Sequence, residues 1–482
     1  MKKWLVCMLF ASIVLTQTPW SFAQSHDRQL SKDPQLTKKL KLTVEMAVSV
    51  AMDVDPWLNG SRHRETALDR EALSAFALPD PMINVVAANF PVDGFDIHQE
   101  PMTQLMVSVS QSFPRGSSRY LSRRQKQELA KQEPWLRVDR RAKVKATVTL
   151  LWLEAFKAQE SIRLIEDDRA LFEHLVDATL ISYSSAMSST IGASAMGGRT
   201  RQQDVIRAQL ELTRLDDRLT VLRQQQETAR QRLSEWIGDP AAWPLASVLP
   251  EPLASKQQFW HQLASQNAVQ HSAQNEIFFY EHIKQHPVLQ AFDQRLRAME
   301  TGVTLARQQF KPAWRVTAQY GYRDDDPLGR DRADLFSVGV GLELPLTGYR
   351  QDNAVRSAAH QVAALKSEKQ LMLRKMLAEL RGALAQFQHL NERAERYDQQ
   401  LLPQMAEQAE AALAAYNNDD GNFAEAVRAR IAELNAKIDA LGISVEQQQN
   451  LANLLYLTSD EQLCDEQSCR DPSNATTEKH GE

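Results

Sequence analysis

Asp419 and Asp420 are the side chains best placed to act on a passing ion. They stand side by side in the acidic turn Asn417-Asn418-Asp419-Asp420-Gly421-Asn422, between two helical stretches. Adjacent carboxylates attract cations; the plainer alternative is a pair of solvated turn aspartates. His98, in the 93–99 loop, and the run Asp324-Asp325-Asp326 in a second loop carry metal-ligating groups. Their spacing matches no metal-site pattern, so both read as solvated loop charge. Cys464 and Cys469, five residues apart near the C-terminus, are able to close a small disulfide loop in an oxidising compartment. Two free thiols in a disordered tail are the alternative. The histidines are scattered, no serine or cysteine sits in a nucleophile motif, and no glycine-rich phosphate loop occurs. The sequence therefore gives no support for an enzyme, a cofactor or a metal site.

The remaining composition narrows the class. Lys2 and Lys3, the apolar stretch from Trp4 to Leu15 and the small-x-small triplet Ser21-Phe22-Ala23 form a secretory signal over residues 1–23. That stretch is too short to span a bilayer, which needs about 20 apolar residues. Cys7 lies inside it, so no lipid attachment is signalled. Removing the signal takes the formal net charge from −5 to −7, which argues against nucleic acid as a partner. No later apolar run is long enough for a transmembrane helix. An exported chain of this kind either stays soluble or enters an outer membrane as a β-barrel.

Laid over itself with a shift of 231 residues, the chain repeats. Pro81-Met82 falls on Pro312-Ala313, Val107-Ser108-Val109-Ser110 on Val338-Gly339-Val340-Gly341, and Phe113-Pro114 on Leu344-Pro345. Asp55-Pro56 falls on His286-Pro287 in the same register. Each copy carries a β-hairpin, over residues 82–113 and 313–345, with strands predicted at 82–90, 103–113, 314–322 and 336–344. Leu105, Val107 and Val109 alternate with Ser108, Ser110 and Ser112; Phe336, Val338, Val340, Leu342 and Leu344 alternate with Ser337, Gly339, Gly341 and Glu343. This is the apolar-out, polar-in dyad of a membrane barrel strand. Trp314, Tyr320 and Tyr322 suit an interfacial aromatic girdle. A half-buried sheet in a soluble domain is the competing reading.

The rest reads as helix. Residues 115–183 hold few glycines and one breaker, Pro134, which bends the helix or splits off its first turns. At about 1.5 Å per residue such a helix reaches on the order of 100 Å. Leu212, Leu215, Leu219 and Leu222, and then Ile431, Leu434, Ile438, Leu441 and Val445, step by three and four as coiled-coil seams do. The sequence thus divides into the signal (1–23), a polar segment (24–40), a first repeat (41–238) with a helical tip near 184–203, and a linker or equatorial segment (239–274). A second repeat (275–460) with its tip near 417–423 and a polar tail (461–482) follow. The fold class is mainly α with a small β part.

The register breaks once. Tyr183 aligns with Tyr416 at a shift of 233, but Ile206-Arg207-Ala208 aligns with Val427-Arg428-Ala429 at 221. The first copy therefore holds 12 extra residues at its tip. Gly198-Arg199-Thr200-Arg201-Gln202-Gln203-Asp204-Val205, and Tyr416 through Phe423, resemble the helical-hairpin tips of TolC-family outer-membrane efflux proteins. Leu78-Pro79-Asp80-Pro81-Met82, Asn89-Phe90-Pro91-Val92-Asp93 and Gln99-Glu100-Pro101-Met102-Thr103-Gln104 resemble the heavy-metal-efflux, CzcC-like branch of that family. The resemblance spans about residues 40–460. Asp419 departs from it, since the family usually has glycine there, and so does the 12-residue insertion.

Four strands cannot close a barrel, since the smallest bacterial barrels have about 8 strands, and lipid-exposed sheet edges are not tolerated. Two chains supply 8 strands and three supply 12. The resemblance implies three: a homotrimer with a shared 12-stranded transmembrane barrel and a long coiled-coil α-barrel. It further implies a Gram-negative outer membrane, outer-membrane lipid as surroundings and a passive duct fed by an inner-membrane RND pump through a periplasmic adaptor. The expected cargo is heavy-metal cations, with organic compounds as the alternative; a secreted coiled-coil scaffold without channel activity is the rival from another class. Adaptor docking is expected at Gly198, Arg199, Thr200, Asp204, Gly421, Asn422 and Phe423. Threefold copies of Asp419 and Asp420 would ring the pore as a gate. Neutralising both is expected to raise leak conductance or alter cation selectivity in planar bilayers; unchanged conductance would remove them from that role.

Overall fold

The computed structural model describes residues 41–94, 96, 98–188, 202–249, 273–326, 328–418 and 423–458. Two helices, α1 (Val44–Val54) and α2 (Pro56–Phe76), lead into β1 (Met82–Ala88) and β2 (Gln104–Phe113). Next come α3 (Ser118–Ala130), the 57-residue α4 (Gln132–Ser188) and α5 (Gln202–Ile237). After a 3-10 turn at Asp239–Ala242 the second copy runs through α6 (Ala273–Lys284), α7 (Pro287–Arg307), β3 (Ala313–Tyr322), β4 (Leu335–Glu343) and α8 (Tyr349–Arg396). It ends with α9 (Leu402–Asn417) and α10 (Phe423–Thr458). The starts of α2 and α7, β1 and β3, β2 and β4, and α3 and α8 each stand 231 positions apart.

Local chemistry sets the boundaries. Thr43 caps α1 by accepting the Met46 N–H at 3.3 Å. Asp55 accepts the Trp57 N–H at 3.0 Å, and Pro56 opens α2 where its missing donor costs nothing. His286 caps the equivalent helix of the second copy, where its Nδ1 accepts the Val288 N–H at 3.3 Å ahead of Pro287. Strand β1 stops at Ala88, two residues short of the predicted end, because Asn89 takes a left-handed φ of 58°. Asn89 donates to the Met102 carbonyl at 3.0 Å and accepts from the Thr103 hydroxyl at 2.8 Å, which fixes the exit of the hairpin. The long helix breaks at Lys131, and Pro134 sits in the first turn of α4, where proline is tolerated. Between α8 and α9 a π turn spans Tyr397–Leu401. Pro403, just beyond it, cannot donate to the preceding turn, which accounts for the local rewinding.

Three apolar clusters lie along the helices. One joins α1, α4, α5 and Val445 of α10 around Trp152, which donates to the Leu42 carbonyl at 3.0 Å and stacks on Phe156. Leu42 bridges Leu245 as a short parallel pair, closing this cluster from outside. A second cluster joins α6, α7, α8 and α10, among them Leu380, Leu384, Phe387 and Leu454. A third contains the α5 seam and the first part of the α10 seam, with Leu215 and Leu219 of α5 meeting Leu434 and Ile438 of α10 against Ile165 and Phe172 of α4, while Leu441 and Val445 pack in the first cluster.

Adjacent residues of α4 hold the two capped helices. Arg140 pairs with Asp55 at 2.8 and 3.3 Å, and its guanidinium lies over the rings of Trp57 and Trp236. Asp139 accepts from the Tyr456 hydroxyl at 3.1 Å, while the Tyr456 carbonyl lies 3.2 Å from Nε2 of His286. Since Nδ1 already accepts, the neutral ring must carry its proton on Nε2. Burial pushes Asp139 and Tyr456 up and pushes His286 down to about 4, the last from an ordinary 6.5. Between those two values the unfolded chain binds a proton that the folded chain refuses. Stability is therefore full above pH 6.5, falls as the pH drops through it and levels off near 4, a loss of about 3 kcal/mol per chain. Asp139 works in the opposite direction, so the comparison is with His286→Asn, which keeps a capping oxygen and does not titrate. The wild type is expected to lose more thermal stability than this variant between pH 7 and pH 4; parallel curves would contradict it.

Candidate functional site

The four strands form one antiparallel sheet in the order β1-β2-β3-β4. The two hairpins join through β2 and β3, from Leu105 opposite Tyr322 to Phe113 opposite Trp314. Because side chains alternate along each strand, this register separates the residues cleanly. One face carries Ile83, Val85 and Ala87, then Leu105, Val107, Val109, Gln111 and Phe113. It continues with Trp314, Val316, Ala318, Tyr320 and Tyr322, then Phe336, Val338, Val340 and Leu342. Gln111 is its one polar aliphatic residue, and its amide donates to the Pro79 carbonyl at 2.8 Å. The other face holds Asn84, Gln104, Ser108, Ser110, Ser112, Arg315, Thr317, Gln319, Ser337 and Glu343, with apolar exceptions such as Met82, Val86, Met106 and Leu335.

The apolar face is bare. Ile83 is 66% exposed, Val85 65%, Phe336 71%, Val338 64% and Val340 62%. At about 25 cal/mol per Å² such a surface is costly in water, and patches of this extent mark contact with a partner or a membrane. The outer edges of β1 and β4 have no strand beside them among the described residues. Strands of 9 and 10 residues (β4, β2 and β3) match the length that crosses hydrocarbon when tilted, about 9–11 residues. No described helix is long and apolar enough to cross a membrane.

At one end of the sheet the two hairpin loops are fastened together. The His98 ring lies between carboxylates, with Asp96 Oδ1 3.0 Å from Nδ1 and Asp324 Oδ2 3.3 Å from Nε2. Hydrogen bonds from the His98 backbone and ring hold the Asp96 carboxyl below its ordinary range. Arg332 donates to the carbonyls of Glu100 and His98, at 3.2 and 3.3 Å. The Arg323 guanidinium donates to the Ala333 carbonyl and its backbone N–H to Asp334, whose carboxylate also accepts from the Tyr320 hydroxyl. In the sequence His98 and Asp324 are separate loop charges. Their contact and the part played by Arg332 lie across more than 200 residues, with no local signal. Among the described residues no group of three or more metal-ligating side chains gathers.

Of the other candidate residues, Asp204 lies in the first turn of α5 and Phe423 opens α10. Gly198, Arg199, Thr200, Asp419, Asp420, Gly421, Asn422, Cys464 and Cys469 fall outside the described residues. The gate, the docking tips and the disulfide therefore stand as expectations from the sequence.

This geometry has counterparts. Residues 279–459 match the outer membrane efflux protein family. The fold is similar to that of VceC, an outer membrane protein of Vibrio cholerae, with 14% identity and a TM-score of 0.65 over 86% of this chain and 96% of that one. The Campylobacter jejuni CmeC outer membrane channel is similar at 13% identity and a TM-score of 0.66, over 86% of this chain and 85% of that one. The open-state Neisseria gonorrhoeae MtrE outer membrane channel aligns at 14% identity and a TM-score of 0.61, over 86% and 88%. No curated protein sequence matches. The mostly helical chain with its four-stranded sheet thus has the fold of TolC-family α-barrel and β-barrel channels.

The two faces make a sharp prediction for substitutions one residue apart. Val338→Arg, on the bare apolar face, is expected to destabilise the protein folded in lipid by about 2–4 kcal/mol. Ser337→Arg, on the polar face, is expected to cost far less. Urea titration of both variants in lipid vesicles checks this, and equal costs would contradict the assignment of faces.

Proposed function

We propose that this chain is the outer-membrane channel of a tripartite efflux system in a Gram-negative bacterium, a passive duct assembled as a homotrimer. The observation that carries the reading is the sheet: one bare apolar face, one polar face and two open edges. In hydrocarbon each unpaired backbone group costs several kcal/mol, so β4 of one chain must pair with β1 of the next. Three chains close a 12-stranded barrel with a polar lumen, and the long helices α4, α5, α8, α9 and α10 continue that lumen into the periplasm. The family match and the fold both favour the reading.

Nothing in a passive duct supplies energy. An inner-membrane RND pump and a periplasmic adaptor would supply it, with the adaptor docking at the helical tips. We assign heavy-metal cations as the cargo because the 78–82, 89–93 and 99–104 segments resemble the heavy-metal branch; organic compounds are the alternative. A secreted coiled-coil scaffold is disfavoured by the bare apolar face, which water would leave uncovered. The test is fractionation followed by reconstitution. A heat-modifiable trimer in the outer-membrane fraction that conducts ions in planar bilayers is expected. A monomer soluble in periplasmic extract would overturn the proposal.

A further inference from the structure

The polar face of the sheet carries very little charge. Across β1 to β4 its only ionisable side chains are Arg315 and Glu343. Glu343 accepts from the Arg115 guanidinium at 2.6 Å and is neutralised there. Arg315 is exposed and, among the described residues, makes no ion pair or side-chain hydrogen bond. Its flanking partners in the register are Ser112 on β2 and Gly341 on β4, neither able to balance a positive charge. On this face Gly341 is flanked along β4 by Glu343, which Arg115 holds, and by Gly339, where an added Cβ would meet nothing within 4 Å, so the guanidinium has open space on the Gly339 side. The remaining neighbours on this face, Ser108, Ser110, Thr317, Gln319 and Ser337, are neutral. Asp80 precedes β1 and lies outside the strand.

We propose that Arg315 sets the ion preference of the barrel lumen, as a ring of three guanidinium groups near its periplasmic end that favours anions over cations. This rests on the trimeric channel reading. A charge in an aqueous lumen acts on passing ions through water and is screened over about 10 Å at 0.1 M salt. Three charges of one sign at one level add, and a fixed ring of this kind is a standard device of anion-selective pores. The consequence for cargo is direct. With heavy-metal cations as the assigned cargo, the ring favours a metal that travels with anionic ligands over a bare divalent cation.

The experiment is the reversal potential of the full-length protein in planar bilayers under a KCl gradient. The wild type is compared with Arg315→Gln, Arg315→Glu and Arg315→Lys. Relative to wild type, Arg315→Gln is expected to lower the chloride-to-potassium permeability ratio a few-fold at about 0.1 M salt. Arg315→Glu should lower it further and Arg315→Lys should leave it unchanged. At about 1 M salt, where screening shortens to about 3 Å, wild type and Arg315→Gln should converge. Conducting channels in which both Arg315→Gln and Arg315→Glu keep the wild-type reversal potential would overturn this assignment and leave the channel reading standing. A wild-type protein that forms no channel at all would overturn both.

Discussion

The open edges of the sheet constrain everything else in this chain. Strands β1 and β4 each end the sheet with a row of unpaired N–H and C=O groups among the described residues, beside a face of valine, leucine and aromatic side chains left bare. Water would solvate the edges but penalise the face; hydrocarbon would welcome the face but penalise the edges. Both demands are met when the edges pair between chains and the face meets lipid. On the channel reading proposed above, the oligomer follows from backbone hydrogen bonding.

The helical part is built to hold that sheet at a fixed place. Both copies start a helix with a capped proline, at Pro56 and Pro287; on α4 Arg140 pairs directly with the Asp55 cap, and Asp139 reaches the His286 cap through Tyr456. The apolar clusters then draw α4, α5 and α10 together along their length, through side chains of both copies. The copies are not equivalent in detail. The helix descending from β4 is rewound at Tyr397–Leu401, whereas α4 runs without such a turn to Ser188. Asp55 pairs with the Arg140 guanidinium, whereas His286 faces a backbone carbonyl and burial pushes its imidazole down to about 4.

Much of this was legible in the sequence because it is local. The dyad at Phe336 to Leu344 and at Leu105 to Ser112 is a property of consecutive residues, and the shift of 231 located the second copy without any structure. Seams such as Leu215, Leu219, Leu434 and Ile438 follow from a spacing of three and four. The pairing of β2 with β3 was not legible, since the partners are about 200 residues apart and neither strand encodes which other strand it meets. The same limit hid the His98–Asp324 contact, the Tyr456–Asp139 bond and the isolation of Arg315, which depends on what stands opposite it. The end of β1 was missed for a different reason: the left-handed turn at Asn89 comes with contacts to Met102 and Thr103 across the hairpin, which the residues around Asn89 do not signal.

The most direct measurement is a cross-link between the two open edges. With Cys464 and Cys469 replaced by serine, one cysteine is placed in β1 at Val85 and one in β4 at Val338, and intact outer membranes are treated with a short bis-maleimide. Within one chain β1 and β4 are three strand spacings apart, about 14 Å, beyond the reach of a short reagent. Edge pairing between chains predicts covalent dimers and trimers on denaturing gels, with no larger species. Cross-linking confined to monomers, or a ladder continuing beyond three, would contradict a barrel closed by three copies of this sheet.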